Sequence, residues 1–237
     1  MKRSKLAWLW FAAILMFSQT VFAHHLWVSR QDDFYAVCRG MIPDRLDDYD
    51  PQKVSQIKAF GKNGRQVSLE RYDKNRGVFF TAEQEISMAV VRCDWGHRVN
   101  TTRGKKLMTR QEAEQAGFRV INSFFSTQLG KSLFTNGSAV TLPVNMILEL
   151  VPMNNPFEMA KDERLKLKLL FEGKPLADTS VFTETANEFK TDNEGIVHMN
   201  IGEKGPQLIW AKYQIPAADG SGLDYQVYTT FLSFEVK

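Results

Sequence analysis

Long apolar runs are almost missing from this 237-residue chain. The stretch from Leu6 to Phe17 covers 12 residues, short of the roughly 20 a helix needs to cross a bilayer. No uncharged segment of about 20 residues follows it either, which excludes a multi-pass membrane protein. Histidine is scarce, with four residues, and cysteine scarcer, with two. Charge of one sign is not in excess either. Lys and Arg total 30 against 27 Asp and Glu, and three of the basic residues, Lys2, Arg3 and Lys5, lie before the apolar run. Without them 27 basic residues face 27 acidic ones. A neutral chain lacks the cationic surplus that displaces counterions from phosphates, so a nucleic-acid partner is not expected. With 43% hydrophobic and 24% charged residues, the composition is that of a globular protein with a core, not of a disordered or collagen-like chain. Enzyme signatures are missing too: there is no Gly-x-Ser-x-Gly elbow, no His-Glu-x-x-His helix and no phosphate-cradling glycine loop. The reading is of a protein that is not an enzyme.

What the chain does have at its start is a basic Met1 to Lys5, the apolar run, and Val21-Phe22-Ala23, a small-x-small cleavage pattern. This describes a secretory signal peptide over 1–23. The expected mature chain begins at His24, has 214 residues and no membrane-spanning segment, and resides in the periplasm. In an oxidising compartment an even cysteine count reads as a disulfide, here Cys38 with Cys93. Closing that loop would stabilise the fold by about 4 kcal/mol in the chain-entropy treatment.

From His25 onward short β-prone runs alternate with turn residues. They include Leu26 to Val28, Phe34 to Cys38, Val54 to Phe60, Val67 to Tyr72, Val78 to Thr81 and Ile86 to Arg92. Trp95-Gly96 reads as a turn. Thr109-Arg-Gln-Glu112 fits a capping box opening a short helix that stops at Gly117. Beyond the Pro/Asn-rich segment around Leu142 to Pro156 the alternation resumes, as in Leu165-Lys-Leu-Lys-Leu169. The expected fold is all-β: two antiparallel β-sandwich modules, 24–142 and 143–237, with one short connecting helix. The second module is immunoglobulin-like or prealbumin-like.

Ala23-His-His-Leu-Trp27, Leu148-Glu-Leu-Val-Pro152-Met-Asn-Asn-Pro156, Gly173-Lys-Pro-Leu-Ala177 and Thr191-Asp-Asn-Glu-Gly195 occur in an order that resembles periplasmic nickel or cobalt uptake-associated proteins, the NikM-like family. The resemblance implies an all-β periplasmic protein, some of whose relatives accompany metal transporters. It implies an inner-membrane transporter component as partner.

Four histidines are the candidate ligands: His24, His25, His97 and His198. Cleavage after Ala23 gives His24 a free α-amine beside its ring nitrogen, and His25 adds a second ring across one amide. Nitrogen donors packed this closely suit Ni(II) or Cu(II), and Co(II) is the further cargo the resemblance implies. The third position is Leu26, so no all-local tripeptide chelate exists and at least one ligand must come from elsewhere in the fold. His97 and His198 are the remote candidates. Val197, Met199 and Ile201 share one face of a strand, which turns His198 to the other. Asp44, Asp47, Asp48 and Asp50 lack the calcium-loop spacing and read as a solvated acidic loop. The function expected is a periplasmic metal-binding accessory protein. The alternative is a metal-free binding module that docks a membrane protein or a glycan.

Overall fold

The computed structural model describes residues 24–42, 45–160, 163–202 and 204–236, so the signal-peptide expectation over 1–23 and Asp44 lie outside the described residues. Strands dominate the regular structure of the described residues. In order, β1 is His25–Arg30, β2 Tyr35–Met41, β3 Arg45–Leu46, β4 Val54–Phe60, β5 Gln66–Val67, β6 Leu69–Lys74, β7 Gly77–Ala82, β8 Met88–Thr101 and β9 Gly104–Lys106. The helix α1, Arg110–Gln115, precedes β10, Val120–Leu133, and β11, Leu148–Pro152. Then come β12 Leu165–Phe171, β13 Lys174–Pro175, β14 Ser180–Thr183, β15 Glu188–Lys190, β16 Ile196–Met199, β17 Gly205–Pro216 and β18 Tyr225–Val236.

These strands form three sheets. The first has the order β1-β2-β7-β6, with β3 on β2. The third has β11-β12-β13, with β16 on β12. Between them runs a nine-stranded sheet, β15-β14-β17-β18-β10-β8-β4-β5, with β9 on β8. Its centre joins the two halves of the chain: β10 pairs with β18 in parallel, from Phe124 opposite Tyr225 to Ser132 opposite Ser233. The all-β expectation holds, with one parallel seam among the antiparallel pairings.

Burial on both faces explains the composition of the central strands. On β8, Val91 and Cys93 enter a core with Leu26, Val28, Val37 and Phe80 of the first sheet. Neighbouring Val90 and Met88 enter the other core, against Leu148, Leu150, Leu165, Leu167 and Leu169 of the third. On β18 the adjacent Phe231 and Leu232 divide in the same way. A strand covered on both sides loses the polar half of its alternation and becomes a continuous apolar run. Each fully buried Leu or Phe contributes roughly 1.5–3 kcal/mol.

Local signals read in the sequence reappear. Thr109 accepts from Glu112 N–H while the Glu112 carboxylate accepts from Thr109 N–H at 2.7 Å, which completes the capping box of α1. Asp192 Oδ1 accepts from the N–H groups of Glu194 and Ile196 at 2.9 and 2.8 Å, closing the turn in which Gly195 adopts φ +73°. Trp95-Gly96 is different. Strand β8 continues through it, and the register against β10 shifts at Ser126/Thr127, so the expected turn is a β-bulge with Gly96 at φ +84°.

The disulfide is also corrected: Cys38 and Cys93 are both buried, free thiols. Side chains alternate along β2. Val37 enters the core that holds Cys93, and the Arg39 guanidinium stacks 4.5 Å from the centroid of Trp95, which borders it. Cys38 lies between them in sequence and points through the other face of the sheet. The first sheet therefore separates the two sulfurs. Burial pushes the Cys38 thiol up to about 11 and Cys93 to about 12.

Candidate functional site

The amino end of the described chain is clamped onto the central sheet. Gln128 Nε2 donates to the His24 carbonyl at 2.9 Å, and Trp95 Nε1 donates to Gln128 Oε1 at 2.7 Å. Val28 N–H donates to Ser132 Oγ at 2.8 Å. Close approach of β1 to β10 needs a glycine: a Cβ on Gly130 would lie 2.9 Å from the Leu26 carbonyl oxygen. His24 and His25 therefore open an anchored strand and not a frayed tail.

Their rings meet different neighbours. His24 Nδ1 pairs with Asp47 Oδ2, and Arg45 Nη2 lies 3.3 Å from the same nitrogen. Arg45 Nε reaches Asp47 Oδ1 at 3.0 Å, and Arg39 Nη1 is 3.7 Å from Oδ2. Asp47 is held in place by its own N–H, which donates to the Arg39 carbonyl at 2.8 Å. Burial pushes the Asp47 carboxyl up, but the His24 hydrogen bond and the charges of His24, Arg45 and Arg39 outweigh it and hold the group below its ordinary value. His25 is 3% exposed and packs against Phe231, with ring centroids 5.9 Å apart. Its Nδ1 is buried without a hydrogen-bond partner among the described residues. Burial first, and His24 second, lower its pKa to about 4, so the ring is neutral near pH 7.

The other two histidines lie elsewhere. His97 is exposed on β8, edge-on to Phe125 at 5.4 Å. His198 is exposed on β16 in the third sheet, across the central sheet from β1, while Val197 and Met199 are buried as their alternation requires. Among the described residues no group of three or more His, Cys, Asp or Glu side chains is arranged to hold a metal ion. Two described members of the acidic loop are engaged by other groups. Asp48 pairs with Arg76 at 2.7 Å, and Asp50 caps the 3-10 turn Pro51–Lys53 by accepting from Gln52 N–H at 3.0 Å. Among the described members of that loop, Asp47 reaches the amino end. A separation of 23 residues carries no periodic signal that would have linked it to His24.

A second feature borders β1, an open groove of about 720 Å³ lined by Trp27, Phe34, Cys38, Phe79, Phe134 and Phe234 among others. It lies over one face of the first sheet, where Trp27 of β1, Cys38 of β2 and Phe79 of β7 meet Ser132 of β10 and Phe234 of β18. Among the described residues no helix is long and apolar enough to cross a membrane.

A family model described as a domain of unknown function, DUF4198, matches residues 21–215. The chain belongs to that family. The DUF4198 match begins just before the paired His24 and His25 and takes in Asp47, the clamp residues Trp95 and Gln128, and all of β17 but its last residue, Pro216. It leaves β18 outside, although that strand supplies Phe231 to the wall beside His25. A search of curated proteins and of solved structures finds no significant match.

Proposed function

We propose that this DUF4198 chain is a periplasmic, non-enzymatic metal-binding accessory protein. It would hold Ni(II) or Co(II), with Cu(II) as the alternative cargo, at an amino end freed by cleavage after Ala23, and pass it to an inner-membrane transporter component. The observation that carries the reading is the anchored His24–His25 pair: one ring faces a carboxylate, and the other is buried with an unpartnered Nδ1. A fixed terminus suits chelation because the entropy of ordering the donors is met when the protein folds, not when the ion arrives. The α-amine and Nδ1 of the same histidine close a six-membered ring on a metal. Divalent ions late in the Irving–Williams order favour such nitrogen donors. The motif resemblance to nickel and cobalt uptake-associated proteins supports the same cargo.

Calorimetric titration of protein beginning at His24 with each chloride salt tests this. The processed form should bind at least about tenfold more tightly than a form extended by one residue, which keeps both rings and loses the free amine at His24. Equal affinities would refute the reading.

The groove beside Trp27 and Phe79 favours a second reading, a metal-free module that docks a membrane protein or a glycan. An apolar, partly open surface of this kind is where such partners bind. If the groove and not the terminus is the working surface, Phe79→Glu would abolish association with the envelope while leaving metal titrations unchanged.

A further inference from the structure

We infer that Asp47 is the ligand the fold adds to the His24 chelate, and that Arg45 is the counter-charge that must move aside when a divalent cation binds. The inference rests on the metal-binding reading above and names the remote donor that a two-histidine terminus lacks.

Two groups of opposite charge converge on one nitrogen. His24 Nδ1, the ring nitrogen that can chelate together with its own α-amine, contacts Asp47 Oδ2 and lies 3.3 Å from Arg45 Nη2. An ionised carboxylate only accepts hydrogen bonds and a guanidinium only donates them. An imidazole Nδ1 donates when it carries a proton and accepts when it does not, whatever the charge of the ring. With a proton on Nδ1 it serves Asp47 and presents N–H to the arginine. Without one it serves the arginine and presents its lone pair to the carboxylate. Neither tautomer satisfies both neighbours. A divalent cation between Nδ1 and Oδ2 removes the conflict, because it takes a lone pair from each. Asp47 Oδ1 then gives up its 3.0 Å contact with Arg45 Nε as the guanidinium moves aside.

The carboxylate is positioned for this. Its backbone is tied to Arg39, and its side chain is 19% exposed, enough to admit an ion. The two arginines differ. Arg39 is 20% exposed and stacked on Trp95, so it stays, whereas the Arg45 side chain is 57% exposed and free to swing into water. An incoming cation is repelled by both guanidinium groups, and displacing the exposed one relieves more repulsion at less packing cost. One nitrogen and one oxygen from the fold, joined by a terminal amine, make a mixed donor set suited to borderline ions such as Ni(II), Co(II) and Cu(II), less so to Mg(II) or Ca(II).

The test uses the full mature chain beginning at His24, titrated with nickel chloride and with copper chloride as wild type, Asp47→Asn and Arg45→Gln. Asp47→Asn should weaken binding about tenfold or more. Arg45→Gln should tighten it severalfold, an opposite effect that general loss of structure cannot produce. The Cu(II) electron paramagnetic resonance spectrum should also change between wild type and Asp47→Asn as an oxygen donor is lost. Should wild type bind nickel while Asp47→Asn binds it within about twofold of wild type, the role of Asp47 is overturned and the amino-terminal reading stands. Should wild type bind neither ion, both fall. If Asp47→Asn fails to fold, Arg45→Gln decides alone: tighter binding supports the inference, and unchanged or weaker binding overturns it.

Discussion

Lys131 on β10 donates to Glu149 on β11 at 2.7 Å, and each side chain is only 1% exposed. The pair bridges the central and third sheets inside the larger core and holds the crossing segment between them. Lys131 also donates to the Leu142 carbonyl at 3.0 Å, while Glu149 accepts from Val144 N–H at 2.9 Å and Met146 N–H at 3.2 Å. Charges this deep persist only when paired and fully hydrogen-bonded, and removing one partner strands the other. Lys131→Met should therefore cost about 3–5 kcal/mol in urea denaturation. A loss below about 1 kcal/mol would mean that water reaches the site.

Gly130 makes a separate demand. A methyl group there would meet both the Leu26 carbonyl oxygen and Val91 Cγ1 at 2.9 Å. Gly130→Ala should lift β1 from the central sheet at a cost of about 1–3 kcal/mol. The loss should appear locally first, as faster amide exchange at Leu26 and Val28. An unchanged exchange rate at Val28, whose N–H donates to Ser132 Oγ, would show that β1 docks without needing this close approach.

The strand-rich class, the capping box at Thr109 and the outward face of His198 follow from local rules, because alternation and turn chemistry act over a few residues. The central sheet does not. Val90 and Val91, or Phe231 and Leu232, look like any apolar run, and nothing in their spacing says that neighbours enter different cores. The parallel seam of β10 and β18 joins residues about a hundred positions apart, as Phe124 joins Tyr225. The candidate site divides in the same way. His24 and His25 are visible as a pair beside a cleavage pattern, while Asp47, Arg39, Trp95 and Gln128 reach them only through folding. The cysteine pairing failed because counting thiols ignores the face each one takes on its strand.

Two buried thiols on opposite sides of one sheet have a direct chemical consequence. With Cys38 raised to about 11 and Cys93 to about 12 by burial, neither forms thiolate at pH 8, and the native protein should resist an aromatic disulfide reagent. Unfolding in guanidinium should release two reactive thiols per chain. Reducing agent should leave the melting temperature unchanged. A fall in Tm on reduction would show that a disulfide had been contributing to stability.

His25 sets the response to acid. Its pKa falls from 6.5 to about 4 through burial and through the nearby His24, so the folded chain holds the ring neutral where the unfolded chain would protonate it. Stability from this group is complete above pH 6.5. It declines as pH falls toward 4, because protons bind the unfolded state first, and it levels off once the folded ring titrates as well. The full difference amounts to about 3 kcal/mol. Urea midpoints measured from pH 7 to pH 4 should fall more steeply for wild type than for His25→Gln, which cannot take up the proton. Parallel curves for the two proteins would mean that the ring takes up its proton as readily in the folded chain as in the unfolded one, against its burial beside Phe231.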